Sequence, residues 1–398
     1  MRSILAHVGI GLALLLCLGR TASAQQANDA PIRIGVSSDQ SGTARDTGVS
    51  LTMGSSAYFQ KINAAGGVFG HPLTLIQKDD GYDPERAVTN TWQLVEQEKV
   101  FFLFDYLGTP TLVRTLPLLK YYESARVVNV APFSGAEPQR TAPYDRYVFN
   151  IRASYNRETA ALVDYLVGKG FKHIGVFAQA DAYGKSGELG VKEALRHYGL
   201  SVAGVATYRR LSLYNVDMKR QIEILRKAGA DAVIAVSVYG AGAALIRDAR
   251  QAGWNVPIAN LSFVNSRALL DLLRSESATR KLDLTANLIN SEVVPSPDST
   301  EYPLVRDYRA HVPSDAYGTV SLEGWLNAVV VTEALRRAGP DAKRMDFIRA
   351  LESLDGWDPG LGVRLEFSPT RHQGLDHVWL TRTQQGKWVE IHGDEPKP

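Results

Sequence analysis

Short apolar segments rich in β-branched and aromatic residues recur along the chain, and segments with helical spacing separate them. Many of these segments are apolar at consecutive positions, which is typical of parallel strands that are covered on both faces. Strands that alternate with helices in this way predict doubly wound parallel α/β sheets. The predicted strands are residues 32–36, 73–77, 101–105, 127–130, 147–151, 173–177, 201–206, 232–237 and 257–261.

Helix boundary signals lie between these strands. Asp83 directly before a proline predicts a helix N-cap, and Thr109 before Pro110 repeats the pattern. Residues 53–63 have helical spacing and are followed closely by two adjacent glycines, which suit a helix end. The last third of the chain predicts two helices and a final hairpin, at residues 321–339, 345–354 and 376–391.

The number of strands and the chain length predict more than one lobe. Nine strands exceed what one such sheet usually holds, and 398 residues exceed what one hydrophobic core usually organises. We therefore expect two Rossmann-like α/β lobes. A strand pair at the end of an α/β chain often packs onto an earlier lobe, so the lobes are expected to share several chain crossings.

The first 24 residues have the features of an export signal. Arg2 gives a positive start, residues 4–18 are mostly apolar, and residues 22–24 read Ala-Ser-Ala, the small-x-small pattern of signal peptidase sites. A retained membrane anchor is the alternative, but the apolar stretch is short and interrupted for a membrane span. We expect cleavage after Ala24 and a periplasmic protein.

Cleavage at that site bears on charge and chemistry. It would remove the only cysteine, Cys17, so neither disulfides nor thiolate catalysis is expected. It would also remove two of 44 basic residues, leaving 42 against 42 acidic ones, a balance poorly suited to binding nucleic acid. Residues 184–186, Gly-Lys-Ser, lack the first glycine of a phosphate-binding loop, and the histidines are scattered. We expect no enzymatic activity, no cofactor and no metal.

One run of residues resembles a known family. Residues 62–70 read INAAGGVFG, and RIGV at 33–36, AYG at 182–184 and ARQAG at 249–253 accompany it. Together they resemble the type I periplasmic binding proteins of ABC importers, of the Leu/Ile/Val-binding type. Adjacent glycines also suit the left-handed end of a helix, so the run indicates the fold without touching a ligand.

The resemblance implies two lobes that close around a ligand like a Venus flytrap. About three crossing strands would form the hinge, and a ligand that contacts both lobes would favour the closed form. Lobe 1 is expected to hold residues 31–151 and 295–370, and lobe 2 residues 152–294 and 371–398. The implied function is that of a monomer that delivers a small organic solute to an inner-membrane permease. A sensor that signals to a membrane kinase or regulator is the alternative.

Candidate ligand contacts of lobe 1 follow from the rule that ligands sit beyond the carboxyl ends of parallel strands. Three loops qualify, and one of them opens a helix whose free amides suit a carboxylate. Helix capping is the alternative role for the two threonines, whereas the resemblance places ligand contacts at the third loop. The candidates are Asp39, Gln40, Ser41, Thr109, Thr111, Phe133, Ser134 and Gly135.

Candidate contacts of lobe 2 are mainly aromatic, and core packing is the alternative for each ring. The resemblance favours Tyr183, because the family's Tyr-Gly step meets the ligand. Arg152 and Glu292 each suit either a ligand partner or an ion pair near the hinge. The candidates are Tyr155, Tyr183, Tyr239, Ser262 and Phe263.

Two departures from the family pattern bear on the ligand. The hydroxyl-rich Ser-Ala-Thr turn is replaced here by Phe133, Ser134 and Gly135, and Ser262 and Phe263 stand where the family has an acidic residue. An ammonium group buried without a carboxylate is unfavourable. A less polar or aromatic carboxylate is therefore expected in place of a leucine-like ligand.

Overall fold

The computed structural model describes residues 30–392, and the predicted signal peptide lies outside this range. Within it, no helix has both the length and the apolar character needed to span a membrane. The helices are α1 (Arg45–Ala64), α2 (Pro84–Glu96), α3 (Thr109–Tyr121), α4 (Tyr155–Gly168), α5 (Ala182–His197), α6 (Lys219–Lys227), α7 (Tyr239–Gln251), α8 (Ser266–Arg280), α9 (Pro303–His311), α10 (Thr319–Ala338) and α11 (Arg344–Glu352).

Two sheets form the cores of two α/β lobes, which confirms the predicted fold class. The first sheet has the order β2-β1-β3-β4-β5 and is parallel, and the second has the order β12-β11-β10-β9-β8-β6-β7, with an antiparallel pair at one edge. The strands are β1 (Ile32–Ser38), β2 (Leu73–Asp79), β3 (Phe102–Phe104), β4 (Asn129–Val130), β5 (Val148–Phe149), β6 (Ile174–Gln179), β7 (Val205–Tyr208), β8 (Ala232–Val236), β9 (Ile258–Asn260), β10 (Leu288–Glu292), β11 (Trp379–Gln384) and β12 (Lys387–Glu390).

The chain passes between the lobes three times. It leaves lobe 1 after β5, returns after β10, and enters lobe 2 again before β11. The first and third passages pair with each other, since the Gly374 amide donates to the Asn150 carbonyl at 2.7 Å and the Leu375 amide to the Ile151 carbonyl at 3.0 Å. These passages form the hinge beside which the candidate site lies.

The tight packing of α1 on α10 explains two glycines in lobe 1. A Cβ atom on Gly54 would lie 1.9 Å from the Ser321 carbonyl oxygen, and one on Gly324 would lie 2.1 Å from the Leu51 carbonyl oxygen. The two helices therefore touch along their backbones. This contact fixes the position of α10, which carries a buried acid, Glu323, towards the hinge.

The nine predicted strands all overlap observed ones, but some boundaries differ. Asp83 caps α2 as predicted, accepting from the amides of Glu85 and Arg86. The predicted N-cap at Thr109 is wrong, because the N-cap of α3 is Gly108 with φ near 100° and Thr109 is already helical. Within the described part of the chain, the Thr109 hydroxyl makes no capping hydrogen bond and lies 2.8 Å from the Ser134 hydroxyl.

Candidate ligand-binding cleft

Aromatic side chains from both lobes meet at the junction. Phe263, directly after β9 of lobe 2, has its ring centroid 4.7 Å from that of Tyr183, 5.5 Å from that of Phe133 and 6.2 Å from that of Tyr82. Tyr155 extends the group, at 5.3 Å from Tyr183. All five rings are buried. We call these five residues the ring cluster.

Two hydroxyl groups of lobe 1 lie beside the ring cluster. The Thr109 and Ser134 oxygens are 2.8 Å apart, and the Thr109 hydroxyl donates to the Tyr155 hydroxyl at 3.5 Å. Thr109 is the first residue of α3, so the pair sits at the positive end of that helix dipole. Both side chains are fully buried. The arrangement offers hydroxyl donors at a helix N-terminus, which is a favourable place for an anion.

Two glycines let the loops of lobe 1 approach the rings. A Cβ on Gly108 would lie 2.4 Å from the Tyr82 ring, and a Cβ on Gly135 would lie 2.4 Å from the Tyr155 ring. The Gly135 carbonyl also accepts from the Tyr155 amide at 2.6 Å. Gly135 thus joins the 133–135 loop to the first residue of α4.

The remaining lobe 1 candidates are engaged locally. Asp39 accepts from the amides of Ser41 and Ala44 at 3.1 and 2.8 Å, so its carboxylate holds the turn before α1. The Gln40 side chain donates to Ser38, and Ser41 donates to Asp79. The Thr111 hydroxyl donates to the carbonyls of Leu107 and Gly108, one turn back in the chain. This differs from the helix-capping alternative, in which the Thr111 hydroxyl would accept from a helix amide.

Tyr239 lies at the first turn of α7 and is only partly buried. Burial raises the pKa of its hydroxyl, and the nearby Asp46 carboxylate on α1 raises it further. This pair joins the two lobes away from the ring cluster.

A buried ion cluster lies beside the rings. The Arg152 guanidinium carbon is 4.3 Å from the Phe133 ring centroid, and its Nη2 donates to the Ser262 hydroxyl. Its nitrogens lie 3.6 Å from Glu158 of lobe 2 and 3.6 Å from Glu323 of lobe 1. Arg152 belongs to the first passage between the lobes, so the cluster spans the hinge. The ion-pair role considered for Arg152 is therefore present.

The Glu158 carboxylate is saturated by local donors. It accepts from the Ser262 amide at 2.8 Å, the Ser262 hydroxyl at 3.1 Å and the Ser291 hydroxyl at 2.6 Å. Two nitrogens of Arg152, Nε and Nη1, have no hydrogen-bond acceptor among residues 30–392. An acidic side chain, Glu158, therefore does lie beside Ser262, but its carboxylate is hydrogen-bonded to other groups of the protein.

Burial governs the protonation of the cluster. It raises the pKa of Glu323 to about 7, with Arg152 opposing the shift, and the pKa of Glu292 to about 8, with hydrogen bonds from Ser266 and Thr319 opposing it. Burial acts to lower the pKa of Arg152, but the Glu323 and Glu158 carboxylates raise it above its ordinary value. Arg152 therefore keeps its positive charge.

Sequence reasoning missed three residues here: Tyr82, Glu158 and Glu323. Both glutamates lie on helices, where an acidic residue is ordinarily assigned to the solvent face. Glu158 follows the buried Tyr155 by three positions, so the helical period already indicated the buried face. Tyr82 stands in an irregular turn after β2, and no periodicity marks it.

Among residues 30–392, no group of three or more His, Cys, Asp or Glu side chains is arranged to hold a metal ion.

Two α/β lobes joined by three chain passages, with a buried polar and aromatic junction, have the architecture of a two-lobed binding protein. Residues 31–387 match the model of the periplasmic binding protein family, and the chain belongs to this family. It is a periplasmic binding protein, and members of this family are binding proteins rather than enzymes.

Three similar proteins illustrate the relationship. A possible leucine/isoleucine/valine-binding protein from Rhodopirellula baltica has 31% identity and a TM-score of 0.83, over 93% of this chain and 98% of that one. An amino acid binding protein of Pseudomonas aeruginosa is 26% identical over 56% of this chain and 58% of its own length. A solute-binding protein of R. palustris in complex with 4-hydroxybenzoate has 17% identity and a TM-score of 0.76, over 92% and 98% of the two chains, and shows the shared fold.

Proposed function

We propose that the protein captures a small organic acid with an apolar or aromatic body between its lobes and delivers it to an ABC permease. The observation that carries the proposal is the ring cluster, contributed by both lobes, next to the Thr109–Ser134 hydroxyl pair at the start of α3. A ligand that touched both parts would contact both lobes and favour their closure.

The polar groups favour a carboxylate. The hydroxyl pair at the positive end of α3 and the free N–H groups of Arg152 are all donors. Donors at a helix N-terminus stabilise negative charge, and the Arg152 N–H groups without an acceptor can donate to it, although Glu158 and Glu323 lie 3.6 Å from the guanidinium.

The same groups disfavour the ammonium of an α-amino acid. Glu158 already accepts three hydrogen bonds and lies near Arg152, so a second cation would have to displace existing partners. Burying an ammonium without its own carboxylate is strongly unfavourable. The solute that fits is therefore an acid without an amino group.

The apolar part of the solute would lie against the rings. Aromatic rings pack well at centroid distances of 4.5–7 Å, and the rings around Phe263 are arranged within that range. The R. palustris relative, whose complex contains 4-hydroxybenzoate, supports the idea that this fold accommodates such a compound.

Isothermal titration calorimetry on residues 25–398 tests the proposal. Benzoate and 4-hydroxybenzoate are the probes, benzamide is the matched control without a charge, and L-leucine and L-valine represent the amino acids. We expect the acids to bind at least about tenfold more tightly than benzamide, because one hydrogen-bonded charge is at stake. Tight binding of leucine together with no binding of either acid would overturn the proposal.

Delivery to a permease is tested in the host. Uptake of the radiolabelled acid that binds best should fall when the gene is deleted and return when it is restored. Unchanged uptake in the deletion strain would contradict a transport role for that acid.

A further inference from the structure

Tyr82 belongs to lobe 1, and its side chain also contacts lobe 2. It follows β2 in a turn, and its ring is completely buried. The Gln179 side chain of β6 donates to the Tyr82 hydroxyl at 3.2 Å, and Phe263 packs against the ring. The Arg210 guanidinium, in the loop after β7, donates to the Tyr82 backbone carbonyl at 3.1 Å. Tyr82 thus makes three separate contacts across the cleft.

Lobe 1 holds Tyr82 in an unusual conformation. Its φ is +61°, a region that is unfavourable for a residue with a side chain. The Asp80 carboxylate accepts from the Tyr82 amide at 2.9 Å and from the Ser37 hydroxyl at 2.8 Å, which fixes the turn to β1. Gly108 leaves the space that the ring occupies. The turn presents the ring towards lobe 2.

Lobe 2 holds the receiving side chain in place. Gln179 accepts from the Tyr208 hydroxyl at 3.0 Å and also donates to Asp181 at 2.6 Å. The Tyr208 hydroxyl in turn accepts from the Val238 amide at 3.2 Å. Because these bonds lie within lobe 2, they do not depend on Tyr82, and the Gln179 amide is oriented before the lobes meet.

We infer that Tyr82 is an interlobe clasp, a residue that stabilises the closed arrangement through contacts between the lobes themselves. This inference rests on the proposed closing cleft. Contacts made only in the closed state raise its population whether or not a solute is bound. The apparent affinity for each solute is its intrinsic affinity multiplied by the closed fraction, so a change in that fraction alters the affinity for every solute by the same factor. Because the Tyr82 ring also belongs to the ring cluster, the clasp is tested through the Tyr82 hydroxyl and backbone carbonyl, which contact Gln179 and Arg210.

Single-molecule fluorescence transfer without any solute tests the clasp. Residues 25–398 contain no cysteine, so cysteines at exposed Asp341 of lobe 1 and exposed Lys227 of lobe 2 accept a dye pair without background. The variants are Tyr82→Phe, which loses the bond from Gln179, and Arg210→Gln, which weakens the bond to the Tyr82 carbonyl. Tyr121→Phe is the matched control, since that ring is 76% exposed.

We expect a measurable closed population in the parent protein and a ratio of closed to open molecules about fivefold lower in each clasp variant, as for one lost hydrogen bond. The control should match the parent. The inference is contradicted if the parent protein is entirely open. It is also contradicted if both variants have the parent's ratio of closed to open molecules and the parent's melting temperature.

Binding of benzoate and of 4-hydroxybenzoate provides the second readout. Arg210→Gln should weaken both by the same factor, which equals the factor by which its closed fraction falls below that of the parent. A loss for one probe only would identify a ligand contact and contradict the clasp. If neither probe binds the parent protein, the proposed ligand fails, while the closure measurement without solute still decides the role of Tyr82.

Discussion

At the scale of single residues, Arg152 links the two lobes through charge. Its guanidinium lies 3.6 Å from a carboxylate of each lobe, and side chains of the cluster are at most 4% exposed. A buried ion pair adds little over an apolar replacement of the whole cluster, but removal of one partner leaves a buried charge unpaired. Replacing a single member of the cluster is therefore expected to destabilise the protein.

Replacing Arg152 with Met should destabilise the protein by about 3–5 kcal/mol, because Glu158 and Glu323 lose their only close cation of this cluster. Urea denaturation followed by circular dichroism measures the change. Arg146→Met is the control, since its pair with Glu123 is solvent-exposed and should contribute less than about 1 kcal/mol. Equal stabilities for both variants would contradict this account of the cluster.

Removing either member of the hydroxyl pair should weaken binding without unfolding the protein. Ser134→Ala and Thr109→Val each delete one donor, and a hydrogen bond to a charged group is worth about 1.5–3 kcal/mol, or roughly 10- to 150-fold in affinity. Titration with the tightest benzoate-type probe measures the loss. Ser275→Ala, on the exposed side of α8, should bind as the parent does. An unchanged affinity in both cleft variants would place the carboxylate elsewhere.

The residues that sequence could and could not indicate differ in a physical way. The strand-end rule nominated Phe133, the resemblance favoured Tyr183, and Phe263 was one of the aromatic candidates of lobe 2. The structure brings the three rings together because parallel strands end at a common edge. Glu323 could not be found, since the depth of a helix face depends on what packs against it. Whether these residues bind a solute stays a prediction.

At the scale of secondary structure elements, the closest contact in lobe 1 is that of α1 with α10. Gly54 and Gly324 permit it, because neither backbone leaves room for a Cβ atom. The pair sets the position of Glu323 relative to the hinge, so the packing of two helices in lobe 1 determines a contact to Arg152.

Gly54→Ala should therefore destabilise the protein by about 1–3 kcal/mol through overpacking. Gly168→Ala, at the end of α4, is the matched control, because a Cβ there has no atom within 4 Å. Its stability should stay equal or rise slightly, since alanine favours helix more than glycine does. Thermal denaturation compares the two, and a harmless Gly54→Ala would show that α1 and α10 can separate.

Element prediction succeeded where apolar runs are long and failed where polar residues are buried. Strand β10 was missed, because Asn290, Ser291 and Glu292 read as a loop although all three are buried. Helix α1 begins at Arg45, eight residues before the predicted start at 53, because glycine, serine and threonine obscure its first turns. In both places tertiary contacts outweigh local preference.

At the scale of the whole molecule, buried carboxyl groups make stability depend on pH. Burial raises the pKa of Glu292 to about 8, and the charges of Glu158 and Glu323 add to the shift while the Ser266 and Thr319 hydroxyls oppose it. The folded protein therefore holds a proton that the unfolded chain releases. The stabilisation is complete below the ordinary glutamate pKa and is lost as the pH rises through about 8.

The free energy of unfolding should fall by at least about 1 kcal/mol between about pH 5 and about pH 8 through this group. Glu292→Gln mimics the protonated carboxyl and should flatten the decline. Urea titrations of both proteins at pH 5, 6, 7 and 8 give the comparison, and other buried acids cancel in the difference. Parallel pH profiles for the two proteins would contradict the shifted pKa.

The three passages between the lobes also set the order in which the molecule can mature. Strands β11 and β12 complete the sheet of lobe 2, and α10 completes the core of lobe 1, so each lobe waits for residues beyond 318. During synthesis, neither the core of lobe 1 nor the sheet of lobe 2 can therefore be completed until the residues beyond 318 have been added.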